Sequence, residues 1–156
     1  LLHQVVRQIC DPLGWAEDAE ELLSVARLHL RQGDADLGEA CLRRGLELAS
    51  LPVTRQQLHS SLARRLRRTG RLAAASAQWE LYRQEFPELN TAWIELAKYH
   101  EHVSRDLSRA LELVERCPAP QLPELLHRRQ RLQRRLTRER AKLSSRMTRM
   151  RHCPRR

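Results

Sequence analysis

The sequence predicts an all-α protein in which antiparallel helix pairs pack side by side. Apolar residues recur three and four positions apart along nearly the whole chain, which is the period of an amphipathic helix. Few residues are β-branched, and no segment alternates apolar and polar residues as a strand would. The chain has 156 residues, which suffice to bury a core without a metal or a disulfide.

Helix-breaking residues divide the chain into helix-sized segments. Gly closes helices, and Pro or Asp opens them. The breaks lie at Asp11-Pro12, Gly33-Asp34, Leu51-Pro52, Gly70, Phe86-Pro87, Asp106 and Cys117-Pro118. They predict an opening helix and linker over residues 1–16, about three helix pairs over residues 17–120, and a long helix with a basic tail over residues 121–156.

The helix pairs share a repeated pattern, and the second pair is its best copy. Its first helix, turn, second helix and closing residue carry Leu62, Ala63, Gly70, Ala75, Trp79 and Pro87. Trp93 stands 34 residues after His59, and Leu96-Ala97 follows Leu62-Ala63 at the same distance. This pattern resembles the tetratricopeptide repeat, which has the same period. The resemblance implies a right-handed array of about three antiparallel helix pairs.

The first and third pairs repeat the pattern less completely. In the first pair Val25-Ala26 holds the corresponding place, and small residues mark the points where two helices must approach closely: Gly33, Gly38 and Gly45. In the third pair the turn around residues 104–106 needs one extra residue. An ordinary helix bundle with coincidental spacing is the alternative.

Basic residues fall at equivalent positions of the first helix in each pair. In such an array these helices line the concave surface, and residues four apart share a face. We therefore predict a basic stripe that binds an anion, either a phosphate backbone or an acidic peptide. Its members are Arg27, Arg31, Arg64, Arg67, Arg68, Lys98 and His102. The alternative is that the arginines only complement the negative ends of helix dipoles and stay solvated.

The C-terminal segment carries all of the excess positive charge. Residues 121–156 hold twelve Arg and one Lys against two Glu, a net charge of +11, whereas the whole chain has +10. The first half of this segment should cap the array, and residues from about Thr137 onward should fray outward as a solvated basic arm. The predicted nucleic acid contacts in this arm are Arg138, Arg140, Lys142, Arg146 and Arg149.

The composition of the basic arm indicates how it would bind. Its cations would contact phosphates by releasing counterions, which is independent of sequence and weakens steeply with salt. The arm has no aromatic residue, so base stacking does not contribute there. The absence of Trp and Phe also disfavours the alternative of a membrane-surface or calmodulin-target helix.

No group of residues points to catalysis or to a metal. The pairs Asp18-x-Glu20 and Asp34-x-Asp36 fit a first helical turn and a turn between helices. His100 and His102 are two residues apart and face different sides of a helix, so they cannot share a metal. The four cysteines form no CxxC motif, which disfavours a zinc knuckle and a disulfide framework. We predict no catalytic residue, no metal site and no cofactor.

One segment resembles a narrower family. Glu95-Leu-Ala-Lys-Tyr-His-Glu-His102, followed by Arg105-Asp106 and Ala110-Leu-Glu112, is similar to the "ELAKYYEH…D…ALE" segment of bacterial ribonuclease-H-fold exonuclease-like proteins of the YprB type. His100 stands where that family often has Tyr.

The start of the chain extends this resemblance over residues 1–116. Residues 1–9 with Asp11-Pro12 are similar to the last nuclease helix and the linker that lead into tetratricopeptide-like helices in that family. The resemblance implies a parent protein whose DEDD-type nuclease domain degrades nucleic acid from a 3′ end with two divalent metals. The metal-binding carboxylates, and any Mg²⁺ or Mn²⁺, would lie upstream of Leu1, so none is assigned to this chain.

These patterns together predict a non-catalytic interaction arm of a ribonuclease-H-like, exonuclease-type protein. We expect it to bind DNA or RNA, or an acidic protein or peptide, through the basic stripe and the basic arm. A general protein–protein interaction scaffold with no nucleic acid role is the alternative. No apolar run is long enough to span a membrane, so we expect no membrane partner and a cytoplasmic location. No oligomeric state is predicted.

Overall fold

The computed structural model describes Val6 and residues 10–151, and for residues 146–151 it describes the backbone alone. Over these residues the elements are eight α-helices, with no strand among them. They are α1 Pro12–Trp15, α2 Ala19–Gln32, α3 Ala35–Leu48, α4 Pro52–Arg68, α5 Leu72–Glu85, α6 Asn90–His102, α7 Leu107–Glu115 and α8 Pro123–Arg151. The prediction of an all-α protein is confirmed.

Aspartates begin four of the helices, and the first of them is Asp11, whose carboxylate accepts a hydrogen bond from the backbone N–H of Gly14 at 3.2 Å. The Asp18 carboxylate accepts hydrogen bonds from the backbone N–H groups of Glu20 and Glu21, at 2.8 and 2.7 Å. The carboxylates of Asp34 and Asp106 each accept one hydrogen bond from the backbone N–H group three residues later, at 3.3 and 2.9 Å. Such a cap satisfies N–H groups that the first turn leaves unpaired and contributes about 1 kcal/mol. Asp18 and Asp34 therefore have the structural role that their positions predicted.

The links inside the helix pairs depend on left-handed backbone. Gly33 after α2 has φ 91° and Gly70 after α4 has φ 75°, values that residues with a Cβ rarely adopt. In both turns the following N–H group bonds to the carbonyl five residues back, at 3.0 Å. The link from α6 to α7 covers residues 103–106, one residue more than the link over 69–71, and Arg105 takes φ 58° there.

The chain divides into two compact units, residues 1–86 and residues 87–156. In the first unit α2 packs against α3 and α4 against α5, so each pair forms a helix hairpin, and α3 packs on α4 to join the pairs. The first helices of the two pairs, α2 and α4, also touch. At the centre of this unit the side chains of Leu22, Leu42, Leu58 and Leu62 are each at most 1% exposed.

Two glycines let α3 approach its neighbours closely. A Cβ at Gly38 would lie 2.7 Å from Cγ of Leu30 on α2, and one at Gly45 would lie 2.9 Å from Cδ2 of Leu58 on α4. Both distances are shorter than a carbon–carbon contact allows. A larger residue would not fit at either position, because two helices meet there, as the sequence predicted.

In the second unit, α6 packs against α7 and α7 against α8. The buried side chains of this unit include Leu96, Leu113, Val114, Leu125 and Leu132. Within the described residues of the whole chain, none of the helices combines the length and apolar character that crossing a membrane requires.

The last helix, α8, has a packed half and an exposed half. Leu125 is 1% exposed and Leu132 is fully buried, whereas every residue of 137–145 is exposed. Thr137 is where the sequence placed the start of the basic arm. From there the backbone of α8 continues as a helix through Arg151.

Candidate anion-binding site

Five arginines line one cavity in the first unit. The cavity, which we call the Arg cavity, has a volume of about 380 Å³ and is lined by Arg27, Leu30, Arg31, Leu42, Ser61, Arg64, Arg65 and Arg68. On α2, Arg27 and Arg31 are four residues apart, as are Arg64 and Arg68 on α4, so each helix presents two guanidinium groups on one face. Direct contact between α2 and α4 brings these two faces together.

The charges of the Arg cavity have no acidic partners within the described chain. No carboxylate is among its lining residues. Arg27 donates through Nη2 to the neutral amide oxygen of Gln57, at 2.9 Å. The guanidinium groups of Arg31, Arg64 and Arg68 are exposed and form no ion pair or hydrogen bond with any described residue. The cavity therefore holds several unneutralised positive charges that only a ligand or solvent can balance.

Arg65 is half-buried and also lines the Arg cavity. Its Nε is inaccessible to solvent and has no hydrogen-bond partner among the described residues. A buried donor left unsatisfied costs about 1–3 kcal/mol, so such groups are rare in folded proteins. Sequence reasoning left Arg65 out because it is the neighbour of Arg64 and points about 100° away around the helix. Its counterpart in the first pair is Leu28, so the repeat register gave no signal for it.

Helix dipoles favour arginines at the ends of α2 and α4, but they do not explain why these side chains converge on one cavity. Arg31 lies in the last turn of α2, and Arg65, Arg67 and Arg68 lie in the last turn of α4, where cations are favourable. A dipole attracts a cation to any side of a helix end. The convergence on one cavity is instead a consequence of the four-residue spacing and of the contact between α2 and α4.

Three members of the predicted basic stripe do not join the Arg cavity. Arg67 is exposed on α4 but is not part of the cavity lining. Lys98 and His102 belong to the second unit, and each lies beside an acid there. The Nζ of Lys98 is 2.6 Å from Oε1 of Glu95, and Nε2 of His102 is 3.6 Å from Oε2 of Glu101. The structure thus brings together Arg27, Arg31, Arg64 and Arg68.

Part of the basic charge of α8 is neutralised inside the second unit. Glu101 on α6 has a side chain only 1% exposed, and Arg128 donates to its Oε2 at 2.6 Å. Arg131 binds both carboxylate oxygens, at 2.9 and 2.8 Å, and Arg135 contacts Oε1 at 3.4 Å. Burial acts to raise the pKa of Glu101, but the hydrogen bonds and charges of Arg131 and Arg128 outweigh it and hold that pKa below its ordinary value. These three arginines fasten α8 to α6.

The exposed half of α8 keeps cations without partners. Arg138, Arg140 and Lys142 are exposed and make no ion pair with another described residue. The side chains of Arg146 and Arg149, which the sequence also assigned to nucleic acid contacts, lie outside the described residues. The described arm is therefore a set of solvated charges beyond the last packed turn.

A second polar cluster lies between α3, α4 and α5. Arg55 donates to the carbonyls at the end of α3, at 3.0 and 3.1 Å, and through Nη2 to Oε2 of Glu85 at 2.8 Å. The hydrogen bond from Arg55 lowers the pKa of Glu85. The His59 ring lies between Gln78, with Nε2 2.6 Å from Nδ1, and Glu85, with Oε2 3.2 Å from Nε2. Burial lowers the pKa of His59, so these contacts suit a neutral ring protonated on Nε2.

The lining of this second cavity contains no side-chain nucleophile of the kind that a histidine–carboxylate pair activates. Its volume is about 510 Å³, and its lining residues are Leu46, Glu47, Arg55, His59, Gln78, Leu81, Gln84 and Glu85. A histidine paired with a carboxylate activates a nucleophile only when one lies within hydrogen-bond reach. No Ser, Thr, Cys or Lys is in the lining. The cluster instead joins α3, α4 and α5.

Neither a search for metal-binding groups nor a comparison with known proteins assigns a function to the chain. In the described part of the chain, no three or more His, Cys, Asp or Glu side chains are grouped so that they could hold a metal ion. Neither a protein-family model nor a curated protein matches the sequence. The Arg cavity is therefore the site whose chemistry the structure itself defines best.

Proposed function

We propose that the chain is a non-catalytic, tetratricopeptide-like interaction arm of a ribonuclease-H-like, exonuclease-type protein, and that it binds the phosphate backbone of nucleic acid. The observation that carries this proposal is the convergence of five arginines on one cavity without an acidic partner among the described residues. Guanidinium groups present planar pairs of donors that match phosphate oxygens. Carboxylate is matched by the same donors, and we choose phosphate because the basic arm suits a polyanion.

The basic arm supports a polymeric ligand. Arg138, Arg140 and Lys142 are also without acidic partners in the described chain, and they follow one another on an exposed helix. A row of solvated cations gains most from a polyanion, because each phosphate contact releases condensed counterions. Neither the Arg cavity nor residues 137–145 contain an aromatic side chain, so binding through them is independent of base sequence.

A protein–protein interaction scaffold with no nucleic acid role is the second candidate. The first unit exposes several large apolar side chains, and Leu51, Val53 and Leu81 are each more than half exposed. Large exposed apolar side chains are available to a protein partner. The two candidates differ in salt dependence, because an apolar interface does not release condensed counterions.

Binding of single-stranded oligonucleotides at several salt concentrations tests the proposal. The logarithm of the association constant should fall linearly with that of the salt concentration, by about 0.7 per phosphate contact. Truncation after Leu136 should flatten this slope, and Arg64→Glu/Arg68→Glu should weaken binding about tenfold or more. Arg44→Glu/Arg116→Glu is the matched control, since both side chains are exposed and outside the cavity.

Two results would contradict the proposal. Tight binding that survives both the truncation and Arg64→Glu/Arg68→Glu would show that other residues hold the nucleic acid. Metal-dependent nuclease activity of these 156 residues alone would contradict the non-catalytic assignment. A salt-independent association with protein, together with no binding of any oligonucleotide, would favour the scaffold.

A further inference from the structure

The Arg cavity holds more positive charge than an internal phosphate requires. Each internal phosphodiester of a nucleic acid strand carries a single negative charge, whereas five guanidinium groups surround this one cavity. The basic arm shows the other arrangement, with cations spaced along a helix as a continuous backbone would need. The Arg cavity is therefore suited to an anion that concentrates more than one charge at a point.

The donors of the Arg cavity sharpen this requirement. Arg31, Arg64 and Arg68 are exposed and line the same cavity, so their N–H groups are open to a ligand. An anion that accepts hydrogen bonds from several guanidinium groups at once needs several acceptor oxygens on one centre. The hydroxyl of Ser61 is one further polar group in the lining.

The size and floor of the Arg cavity favour a chain end over the middle of a strand. A volume of about 380 Å³ falls in the range of small-molecule pockets. Leu30 and the fully buried Leu42 supply an apolar part of the lining, which offers no donor to a continuing backbone. A phosphate that enters with its attached sugar fits within this volume.

We propose that the Arg cavity binds the terminal phosphate monoester of a nucleic acid strand. A phosphate monoester carries a charge of about −1.5 to −2 at neutral pH and presents three acceptor oxygens, which matches both the charge and the donors of the cavity. This inference rests on the proposed function, because it names the part of the nucleic acid that this site takes. The basic arm carries further cations without acidic partners among the described residues, and the affinity of such cations for polyanions favours a nucleic acid strand over a phosphorylated peptide.

Competition among unlabelled oligothymidylates against one labelled strand tests the inference with the full chain. The first competitor has hydroxyl groups at both ends, and the second and third carry a phosphate at the 5′ or at the 3′ end. The fourth has hydroxyl ends and two additional nucleotides, so that its total charge equals that of the phosphorylated strands. At least one phosphorylated strand should compete about tenfold better than the charge-matched strand, as one or two additional charge-assisted hydrogen bonds allow.

Paired variants assign this preference to the Arg cavity. Arg31→Gln/Arg64→Gln should abolish the preference for a phosphorylated end and leave the weaker binding of hydroxyl-ended strands. Arg44→Gln/Arg116→Gln removes the same charge from exposed positions outside the cavity and should keep the preference. Circular dichroism and thermal unfolding verify that each variant folds. If a variant does not fold, the oligothymidylate competition with the unaltered chain still tests whether a terminal phosphate is preferred.

Failure of this inference is distinct from failure of the proposed function. If all four strands compete in proportion to their charge, the terminal phosphate is not recognised, whereas backbone binding stands. If no strand competes at any salt concentration, the proposed function itself is wrong. A phosphoserine peptide that competes better than the phosphorylated strands would overturn the choice of a nucleic acid ligand.

Discussion

The Arg cavity of the first unit and the arginine cluster at Glu101 in the second use the same side chain for different purposes. In the Arg cavity, Arg31, Arg64 and Arg68 have no acidic partner among the described residues. At Glu101, three arginines surround one buried carboxylate. Both regions bring several arginines together, so a single acidic side chain decides whether the charge fastens helices or remains open to a ligand.

Removal of the Glu101 carboxylate should have the largest effect, because it makes the second region resemble the first. Glu101→Gln should lower the free energy of unfolding by about 2–3 kcal/mol, because it leaves three clustered arginines without a counter-charge. The value lies below that for a fully buried pair, since the Arg131 and Arg135 side chains are 52% and 41% exposed. Urea unfolding followed by circular dichroism measures the change. The variant should also bind oligonucleotides more tightly, since its arginines become available to phosphate.

An exposed carboxylate of the same unit provides the control. Glu112 bridges Arg109 and Arg116 at the surface, so Glu112→Gln should hardly change the unfolding free energy. If Glu101→Gln and Glu112→Gln had equal small effects, the cluster would not be what fastens α8 to α6. The arginines at Glu101 would then have no structural role that sets them apart from those of the Arg cavity.

Much of the first region was predictable from the sequence, because it depends on local rules. The four-residue spacing of Arg27 and Arg31 fixes a shared helix face, and the Gly33-Asp34 turn is visible as a closing glycine and a capping acid. The matching position of Arg64 in the next pair follows from the repeat register. Only Arg65 was missed, since its participation depends on how deeply its side chain lies.

The second region was not predictable, because it depends on a contact between distant segments. Glu101 stands between two histidines, as any solvated acid on a helix would, and its partners follow 27 to 34 residues later. The leucine spacing shows which side of α8 is apolar, but it does not show that Arg131 meets an acid of α6. The sequence therefore placed Arg128, Arg131 and Arg135 in the capping half of the helix without naming a partner for them, whereas in the structure they surround the buried carboxylate of Glu101.

Acid pH tests the same cluster with a smaller effect. The pKa of Glu101 is held below its ordinary value of 4.5 in the folded chain, so its ion pairs stabilise the fold fully above that pH. This contribution disappears as the pH falls through the lowered pKa. The stability difference between the unaltered chain and Glu101→Gln should thus be constant near neutral pH and shrink below about pH 4.5. Urea unfolding at a series of pH values measures it, and a difference that grows in acid would contradict the ionic origin.

Replacing one arginine in each region should change the unfolding free energy least, but it compares the two regions most directly. Arg131→Gln should lower the unfolding free energy by about 1 kcal/mol, because Glu101 loses its two-point partner. Arg64→Gln removes the same charge from the Arg cavity and should change it by no more than about 0.5 kcal/mol, towards greater stability, since neighbouring like charges repel. A residue that stabilises nothing in the folded chain and yet supports phosphate binding serves its ligand alone. If Arg64→Gln instead destabilised the chain as much as Arg131→Gln does, the cavity arginines would be structural, and the contrast between the two regions would fail.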